Sequence, residues 1–202
     1  ALEALARHRG LTVGLITKSP LVARDIDVLR RVAERHALSV HISLITLDAD
    51  IARRLEPRSP APHARLRALE RLRQAGLAAG LMMAPIVPLL TDSTAALRLL
   101  FAAARDAGAG WVHGHPLRLG EVSRRRFLPH LMQEFPGLAQ RYRDHFGPHT
   151  HVRAEYRAAL RRRLHRLQAE FGFARQPRLP LEVARASAAP PQLTLLAPLP
   201  PS

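Results

Sequence analysis

The stretch VHISLITLDADIARRLEPRSPAP, from Val40 to Pro62, decides the predicted fold. It opens with an apolar, β-branched run that is typical of a buried parallel strand. The chain then leaves the strand through Ser43 and Thr46, turns at Asp48, and makes one or two helical turns before Pro57. Polar residues at the end of a buried strand do not serve packing, and ligands bind at the carboxyl ends of strands in α/β sheets and barrels. The stretch therefore predicts a binding site at this strand end.

Two other strand ends share this character, TKSP at residues 17–20 and APIVP at residues 84–88. Strands and amphipathic helices alternate along this part of the chain, and such crossovers make parallel sheets. The fold class is therefore α/β. We predict four parallel strands, adjacent in sequence order, at residues 12–17, 40–45, 79–86 and 111–117.

The pattern changes after the fourth strand, and three regions follow. Residues 1–122 form the α/β part, and residues 123–175 carry amphipathic helices that predict a helical C-terminal appendage on the sheet. Residues 176–202 are rich in proline and have no amphipathic period, so we expect a disordered tail.

The chain is strongly basic, with 31 Lys and Arg against 16 Asp and Glu, a formal charge of +15. This charge favours an anionic partner, with nucleic acid first among the candidates. An equally simple explanation is a coding bias, because Ala, Leu and Arg dominate the composition.

The sequence has no membrane-length apolar run and no signal-peptide pattern, so we expect a cytoplasmic protein without a membrane partner. It has no cysteine, which removes disulfides and thiolate metal ligands from these residues.

Lys18 is the single lysine among those basic residues. Where arginine has replaced lysine everywhere else, one retained ammonium indicates a site that needs a compact point charge. Chance survival is the alternative. Arg58, on the short turn after Pro57, is placed to contact a carboxylate or a phosphate, or else is a solvated loop residue.

Other polar clusters have two interpretations each. His113 and His115 are two apart and so share one face of a strand, and His145, His149 and His151 cluster later. Imidazoles bind metals, but no carboxylate stands at a helpful spacing, so we predict packing or hydrogen-bonding roles and no metal ligand.

The carboxylates near the central strand also have two possible roles. Asp48, Asp50 and Glu56 are candidates for acid–base groups, whereas the simpler interpretation makes Asp48 a helix cap and Glu56 a partner of Arg54 or Arg58. The sequence lacks the glycine-rich dinucleotide and phosphate-binding motifs and the Gly-x-Ser-x-Gly elbow.

Four blocks occur in an order that marks one group of enzymes: ITKSPL at 16–21, SLITLD at 43–48, LEPRSP at 55–60 and MAPIVPLLTD at 83–92. Over residues 11–144 the chain resembles the radical S-adenosylmethionine (radical SAM) enzymes, in the branch related to spore photoproduct lyase. The resemblance implies a partial (β/α) barrel of which this chain holds the last four βα units. It also implies a [4Fe–4S] cluster and S-adenosylmethionine, reductive cleavage of that cofactor, and hydrogen abstraction from a substrate that stays open, with nucleic acid as one candidate.

The resemblance also assigns cofactor-binding residues. Lys18 would pair with the methionyl carboxylate of S-adenosylmethionine, and Ser43 would hydrogen-bond the same ligand. Arg58 would make a second carboxylate contact, and Pro85 would line the adenosine. We expect Lys18, Ser43 and Pro85 to project into one concavity.

The cluster-binding Cys-x3-Cys-x2-Cys segment of these enzymes is absent from the sequence. The leading expectation is therefore a C-terminal part of a radical SAM enzyme, inactive by itself, with the cysteine segment encoded upstream of Ala1. A basic nucleic-acid-binding α/β module without a cofactor, or a non-catalytic scaffold, is the alternative.

Overall fold

The computed structural model of the chain describes residues 1–146 and 150–173. The strands are β1 (Thr12–Thr17), β2 (Ala37–Ser43), β3 (Ala79–Ile86) and β4 (Val112–Pro116). The helices are α1 (Leu2–Leu5), α2 (Ile26–Ala33), α3 (Ala49–Leu55), α4 (Pro62–Gln74), α5 (Thr94–Asp106), α6 (Glu121–Glu134), α7 (Ala139–Phe146) and α8 (Ala154–Glu170), with 3-10 helices at Pro20–Asp25 and Pro136–Leu138. The predicted tail at residues 176–202 lies outside the described residues.

The four strands form one parallel sheet in the order β1-β2-β3-β4. This arrangement confirms the predicted α/β class, with a sheet that fits a partial barrel and a helical C-terminal part. Strand β2 begins at Ala37, three residues earlier than residue 40 where we predicted it. Because all strands run the same way, their carboxyl ends meet at one edge of the sheet.

The two faces of the sheet differ in chemistry because successive side chains of a strand point to opposite sides. One face carries aliphatic residues such as Val40, Ile42 and Leu81, which are fully buried against helical residues that include Leu69 and Leu100. The opposite face, here called the polar face, carries Ser39, His41, Ser43, Met82 and His113. The register places Ser43 beside Met82 and Met82 beside His113, so these three form one row across β2, β3 and β4.

Helix starts follow the sequence signals, with one correction. Asp48 Oδ1 accepts the backbone N–H groups of Asp50 and Ile51, which confirms Asp48 as the cap of α3. Ser59 followed by Pro60 is a common start signal and predicts a helix beginning there, but α4 starts at Pro62. Ala61 is extended, with ψ 148°, because a residue before proline is excluded from the helical region.

The N-terminal helix also ends earlier than its sequence predicts. Gly10 is the residue that the sequence offers as a C-cap, but α1 ends at Leu5, with Ala6 as its C-cap. Gly10 has φ 85° and donates its N–H to the carbonyl of Arg35, so it serves the turn that leads into β1.

Two tyrosines of the C-terminal helices fix the loop that follows β3. The Tyr142 hydroxyl donates to the carbonyl of Pro88 at 2.7 Å, and the Tyr156 hydroxyl donates to Asp92 Oδ2 at 2.7 Å. Asp92 Oδ1 also accepts the N–H of Leu89, which has φ 66°. The C-terminal helices therefore hold a loop at the carboxyl end of the sheet. None of the helices within residues 1–146 and 150–173 combines the length and hydrophobicity needed to cross a bilayer.

Candidate cofactor site and the polar face

Lys18 directly follows β1 and is held by a carboxylate. Its Nζ lies 2.8 Å from Glu56 Oε1, and its side chain keeps 43% of its surface exposed. The turn that places it is fixed locally, since Thr17 Oγ1 accepts the N–H of Ser19, whose own Oγ accepts the N–H of Leu21. The ammonium has three donors. Glu56 uses one of them, and the exposed surface leaves the others accessible to a ligand.

Arg65 connects this ion pair to the next strand. It is 1% exposed, and its guanidinium donates to Glu56 Oε2 at 2.8 Å, to the carbonyl of Ser43 at 3.0 Å and to the carbonyl of Pro60 at 2.8 Å. Such a fork is pre-organised to bind several acceptors at fixed positions. Lys18, Glu56, Arg65 and Ser43 are called the Lys18 network below.

The expected partners of Glu56 were wrong. Glu56 pairs with Lys18 and Arg65, whereas Arg54 pairs with Glu134 at 3.2 Å and with Asp50 at 3.7 Å. Helix α3 ends at Leu55, which turns Glu56 away from Arg54. The Glu56 side chain is 8% exposed, so it needs the two cations that surround it.

The Lys18 network keeps one net positive charge. Two cations, Lys18 and Arg65, face one carboxylate, Glu56. Arg65 is fully buried, so the uncompensated charge is available at the exposed Lys18 ammonium. The arrangement suits a ligand with a single carboxylate.

The remaining candidates lie at or near the same edge of the sheet. Ser43 is the last residue of β2 and is 4% exposed, and Pro85 is the penultimate residue of β3 and half-buried. Arg58 lies in the turn between α3 and α4, where it is exposed. The structure thus joins Lys18 to Ser43 through Glu56 and Arg65, and places Pro85 at the end of the neighbouring strand.

A hydrogen-bonded chain crosses the polar face. The indole Nε1–H of Trp111 donates to His41 Nδ1 at 3.2 Å, and His41 Nε2 lies 3.2 Å from Ser39 Oγ. An indole N–H is only a donor, so His41 Nδ1 is an acceptor and the proton of the neutral ring is on Nε2. Gly80 allows this contact, because a Cβ at that position would lie 2.5 Å from the indole ring.

Burial favours the neutral form of two histidines on the polar face. Burial lowers the pKa of His41 below its ordinary value of 6.5. Burial also lowers the pKa of His113, and the neighbouring imidazoles of His41 and His115 add to that effect.

Of the other histidines singled out from the sequence, His151 forms an isolated antiparallel bridge with Arg118. His149 lies outside the described residues, and nothing is described of the side chain of His145. In the described part of the chain, no three His, Asp or Glu side chains are grouped so that they could hold a metal ion.

Sequence reasoning missed two parts of this region. Arg65 stands four and seven residues before Leu69 and Leu72, on the buried stripe of α4, and an arginine in a leucine stripe is a readable signal of a buried cation. The link from His41 to Trp111 joins two strands far apart in the sequence, so no local pattern indicated it.

Comparisons with known proteins point to relatives without a described activity. An uncharacterized protein of Mycobacterium tuberculosis strain H37Rv is 33% identical over 186 residues, which are 92% of this chain and 55% of that protein. An uncharacterized protein of Acidianus two-tailed virus is 35% identical over 104 residues, 50% of this chain and 34% of the viral protein. The chain thus spans about half the length of the mycobacterial relatives. No protein-family model matches the sequence.

Solved structures share the fold. A point variant of spore photoproduct lyase, a radical SAM enzyme, superposes with a TM-score of 0.62 at 17% identity, over 84% of this chain and 51% of that chain. A double variant of the same enzyme, with bound AdoMet and dinucleoside spore photoproduct, gives a TM-score of 0.57 at 18% identity, over 79% of this chain and 48% of that chain. The chain therefore shares the fold of these structures over most of its length.

Proposed function

We propose that the chain is part of a radical SAM enzyme and supplies the residues that hold S-adenosylmethionine. The observation that carries the proposal is the Lys18 network. A partly exposed ammonium at the end of β1 has one uncompensated charge and is joined through two buried groups to the end of the neighbouring strand. The radical SAM-like fold supports it, since ligands of parallel α/β barrels lie at that edge.

The residues present fit the methionyl end of that cofactor. Lys18 would bind the carboxylate with the donors that Glu56 leaves unused, and Ser43 would offer a neutral hydrogen-bonding group beside it. Pro85 would line the adenosine side, and Arg58 would supply a second contact to a carboxylate. Glu56 and Arg65 would position Lys18 and Ser43 and would not themselves touch the ligand.

The iron–sulfur cluster would depend on residues outside this sequence. Cysteine thiolates hold such clusters, and the chain contains no cysteine. When bound together, the [4Fe–4S] cluster and S-adenosylmethionine supply reductive cleavage of the sulfonium and hydrogen abstraction from a substrate. We propose that the 202 residues bind the cofactor but perform no turnover by themselves.

A nucleic-acid substrate is the class that the observations favour. The chain carries a formal charge of +15, and the structural neighbour with bound AdoMet also holds a dinucleoside. The polar face, with the imidazoles of His41 and His113, offers stacking and hydrogen-bonding partners for a base. A soluble, cytoplasmic location is part of the same proposal.

Calorimetric titration with S-adenosylhomocysteine tests the cofactor site. The chain is expected to bind it saturably, and Lys18→Met is expected to weaken binding about tenfold, because a charge-assisted hydrogen bond contributes ~1.5–3 kcal/mol. Arg67→Met is the matched control, since it removes one positive charge from an exposed position of α4. Lack of saturable binding, or equal effects of the two substitutions, would contradict the proposal.

The alternative, a basic nucleic-acid-binding module without a cofactor, is favoured by the net charge alone. It predicts no affinity for S-adenosylhomocysteine and oligonucleotide binding that falls steeply with salt. The two measurements on the same protein separate the two functions.

A further inference from the structure

A cavity of about 320 Å³ lies between the edge strand β4 and helix α8. We call it the β4–α8 pocket. Its polar lining consists of His113, His115, Arg157, Arg161, His165 and Gln168. Leu160 and Leu164 add an apolar wall, and both are buried.

The lining is positive and uncompensated. Arg157, Arg161 and His165 are spaced by four residues, so they lie along one face of α8, and all three are exposed. No carboxylate lines the pocket, and neither arginine forms an ion pair with any of the described residues. Like charges one turn apart repel, so an anion bound between the two guanidinium groups would stabilise the helix.

A second groove on α8 provides a contrast. It is lined by four arginines, Arg98, Arg162, Arg163 and Arg166, and by Glu170. Glu170 pairs with Arg98 of α5, and Arg163 donates to the carbonyl of Asp92, so two of these four guanidinium groups are held by acceptors of the fold. Arg162 and Arg166, which are four residues apart like Arg157 and Arg161, take no part in these contacts and provide a comparison pair on the same helix.

The spacing of Arg157 and Arg161 suits a phosphate better than a smaller or planar anion. A guanidinium is a planar fork that matches two phosphate oxygens. Two forks one helical turn apart, with Cβ atoms about 5–6 Å from each other, can contact a single tetrahedral anion together. Arginine is not a metal ligand in ordinary protein sites, so the arginines indicate an anion rather than a cation. The buried leucines offer an apolar surface to a sugar ring.

The pocket and the polar face share one residue. His113 lines the pocket and stands in one row with Met82 and Ser43. A nucleotide with its base beside His113 on the polar face would have its backbone next to the pocket. The sheet register thus connects the cofactor end of β2 to the cationic face of α8.

We propose that the β4–α8 pocket binds one backbone phosphate of a nucleic-acid substrate, with Arg157 and Arg161 as its ligands and His165 beside them. This inference rests on the proposed function, because that function places the substrate on the polar face. It adds the position of the phosphate and the residues that select it.

Binding of a short fluorescein-labelled single-stranded oligodeoxynucleotide tests the proposal. The double variant Arg157→Gln/Arg161→Gln is expected to bind about tenfold more weakly. The slope of log affinity against log salt concentration should fall by about 0.7, the value for one phosphate on a single strand. The matched control is Arg162→Gln/Arg166→Gln, with the same charge change and the same spacing on the same helix, and its effect should stay below about twofold.

A second variant keeps the test independent of folding defects. Arg157→Lys/Arg161→Lys preserves the charge but removes the fork, and we expect weaker binding with an unchanged salt slope. Equal weakening by the pocket pair and the control pair, or unchanged binding by both pocket variants, would overturn the proposal.

Affinity for S-adenosylhomocysteine, measured on the same variants, distinguishes failure of the phosphate site from failure of the proposed cofactor-binding function. This affinity should be unchanged in both pocket variants. Cofactor binding without a preference for the pocket arginines overturns the phosphate site alone. Selective oligonucleotide binding without cofactor affinity overturns the proposed function and leaves the phosphate site standing.

Discussion

The Lys18 network and the β4–α8 pocket are both cationic, but most charges of the network are paired, whereas those of the pocket are not. In the Lys18 network the buried Arg65 and the nearly buried Glu56 neutralise each other, and one charge remains at Lys18. In the pocket, Arg157 and Arg161 are exposed and unmatched by any lining carboxylate. Buried charges must be paired to be tolerated, whereas solvated charges need no partner. The buried ion pair of the first region therefore supports the fold and leaves only Lys18 for a ligand, whereas both arginines of the pocket are available to one.

The largest expected effect on stability concerns Arg65, the buried arginine of the Lys18 network. Arg65→Met should lower the free energy of unfolding by ~3–5 kcal/mol, because Glu56 would lose its buried partner and two carbonyl groups would lose their donor. Urea denaturation measures it. Arg67→Met, an exposed arginine on the same helix, should stay within about 0.5 kcal/mol of the parent. A loss below about 1 kcal/mol for Arg65→Met would show that the network does not support the fold.

A smaller effect on stability concerns His41 and His113, two histidines of the polar face. The folded state lowers the pKa of His41 and His113 below 6.5, so the unfolded chain takes up protons first as the pH falls. The stabilisation is fully present above pH 6.5 and is lost as the pH falls towards the lowered folded pKa values. We expect it to be smaller than the Arg65 effect, because both rings are only half-buried.

Unfolding curves between neutral and mildly acidic pH check this sign. The double variant His41→Gln/His113→Gln should lose less stability on acidification than the parent, whereas His8→Gln, at an exposed position, should follow the parent. A parent protein that gains stability on acidification, or a double variant with the parental slope, would contradict the assignment.

The smallest expected effect on stability concerns the exposed arginines of the β4–α8 pocket. Arg161→Gln should change the free energy of unfolding by no more than about 0.5 kcal/mol, and towards greater stability, because it removes like-charge repulsion with Arg157 one turn away. Thermal unfolding at low ionic strength measures it. Destabilisation by more than about 1 kcal/mol would mean that Arg161 has a structural partner, and the contrast between the two regions would fail.

Local patterns were sufficient for the sheet and most helix caps. The apolar run from Val40 predicted a buried strand, and Asp48 was correctly interpreted as a cap, since both depend on neighbouring residues. The start of α4 was predicted too early because two prolines, Pro60 and Pro62, could each begin the helix. Ala61 precedes Pro62 and is therefore kept out of the helical region, so the helix begins at the second proline.

The candidate site was harder to predict because it depends on contacts between distant segments. The single lysine and Ser43 could be singled out, but the pairing of Glu56 could not. It depends on Arg65, a residue of a helix that turns back against the strand. The positions of Arg157 and Arg161 beside β4 depend likewise on how α8 packs across the sheet edge, which no periodicity specifies.

The central claim is that Lys18 holds the carboxylate of a methionyl ligand at the carboxyl edge of the sheet. A crystal structure of the chain with S-adenosylhomocysteine tests it most directly. The account predicts a ligand carboxylate oxygen at hydrogen-bond distance from Lys18 Nζ, about 2.7–3.2 Å, with the Glu56–Arg65 pair intact and Ser43 beside the ligand. A ligand bound elsewhere, with Lys18 contacting only Glu56, would contradict the account.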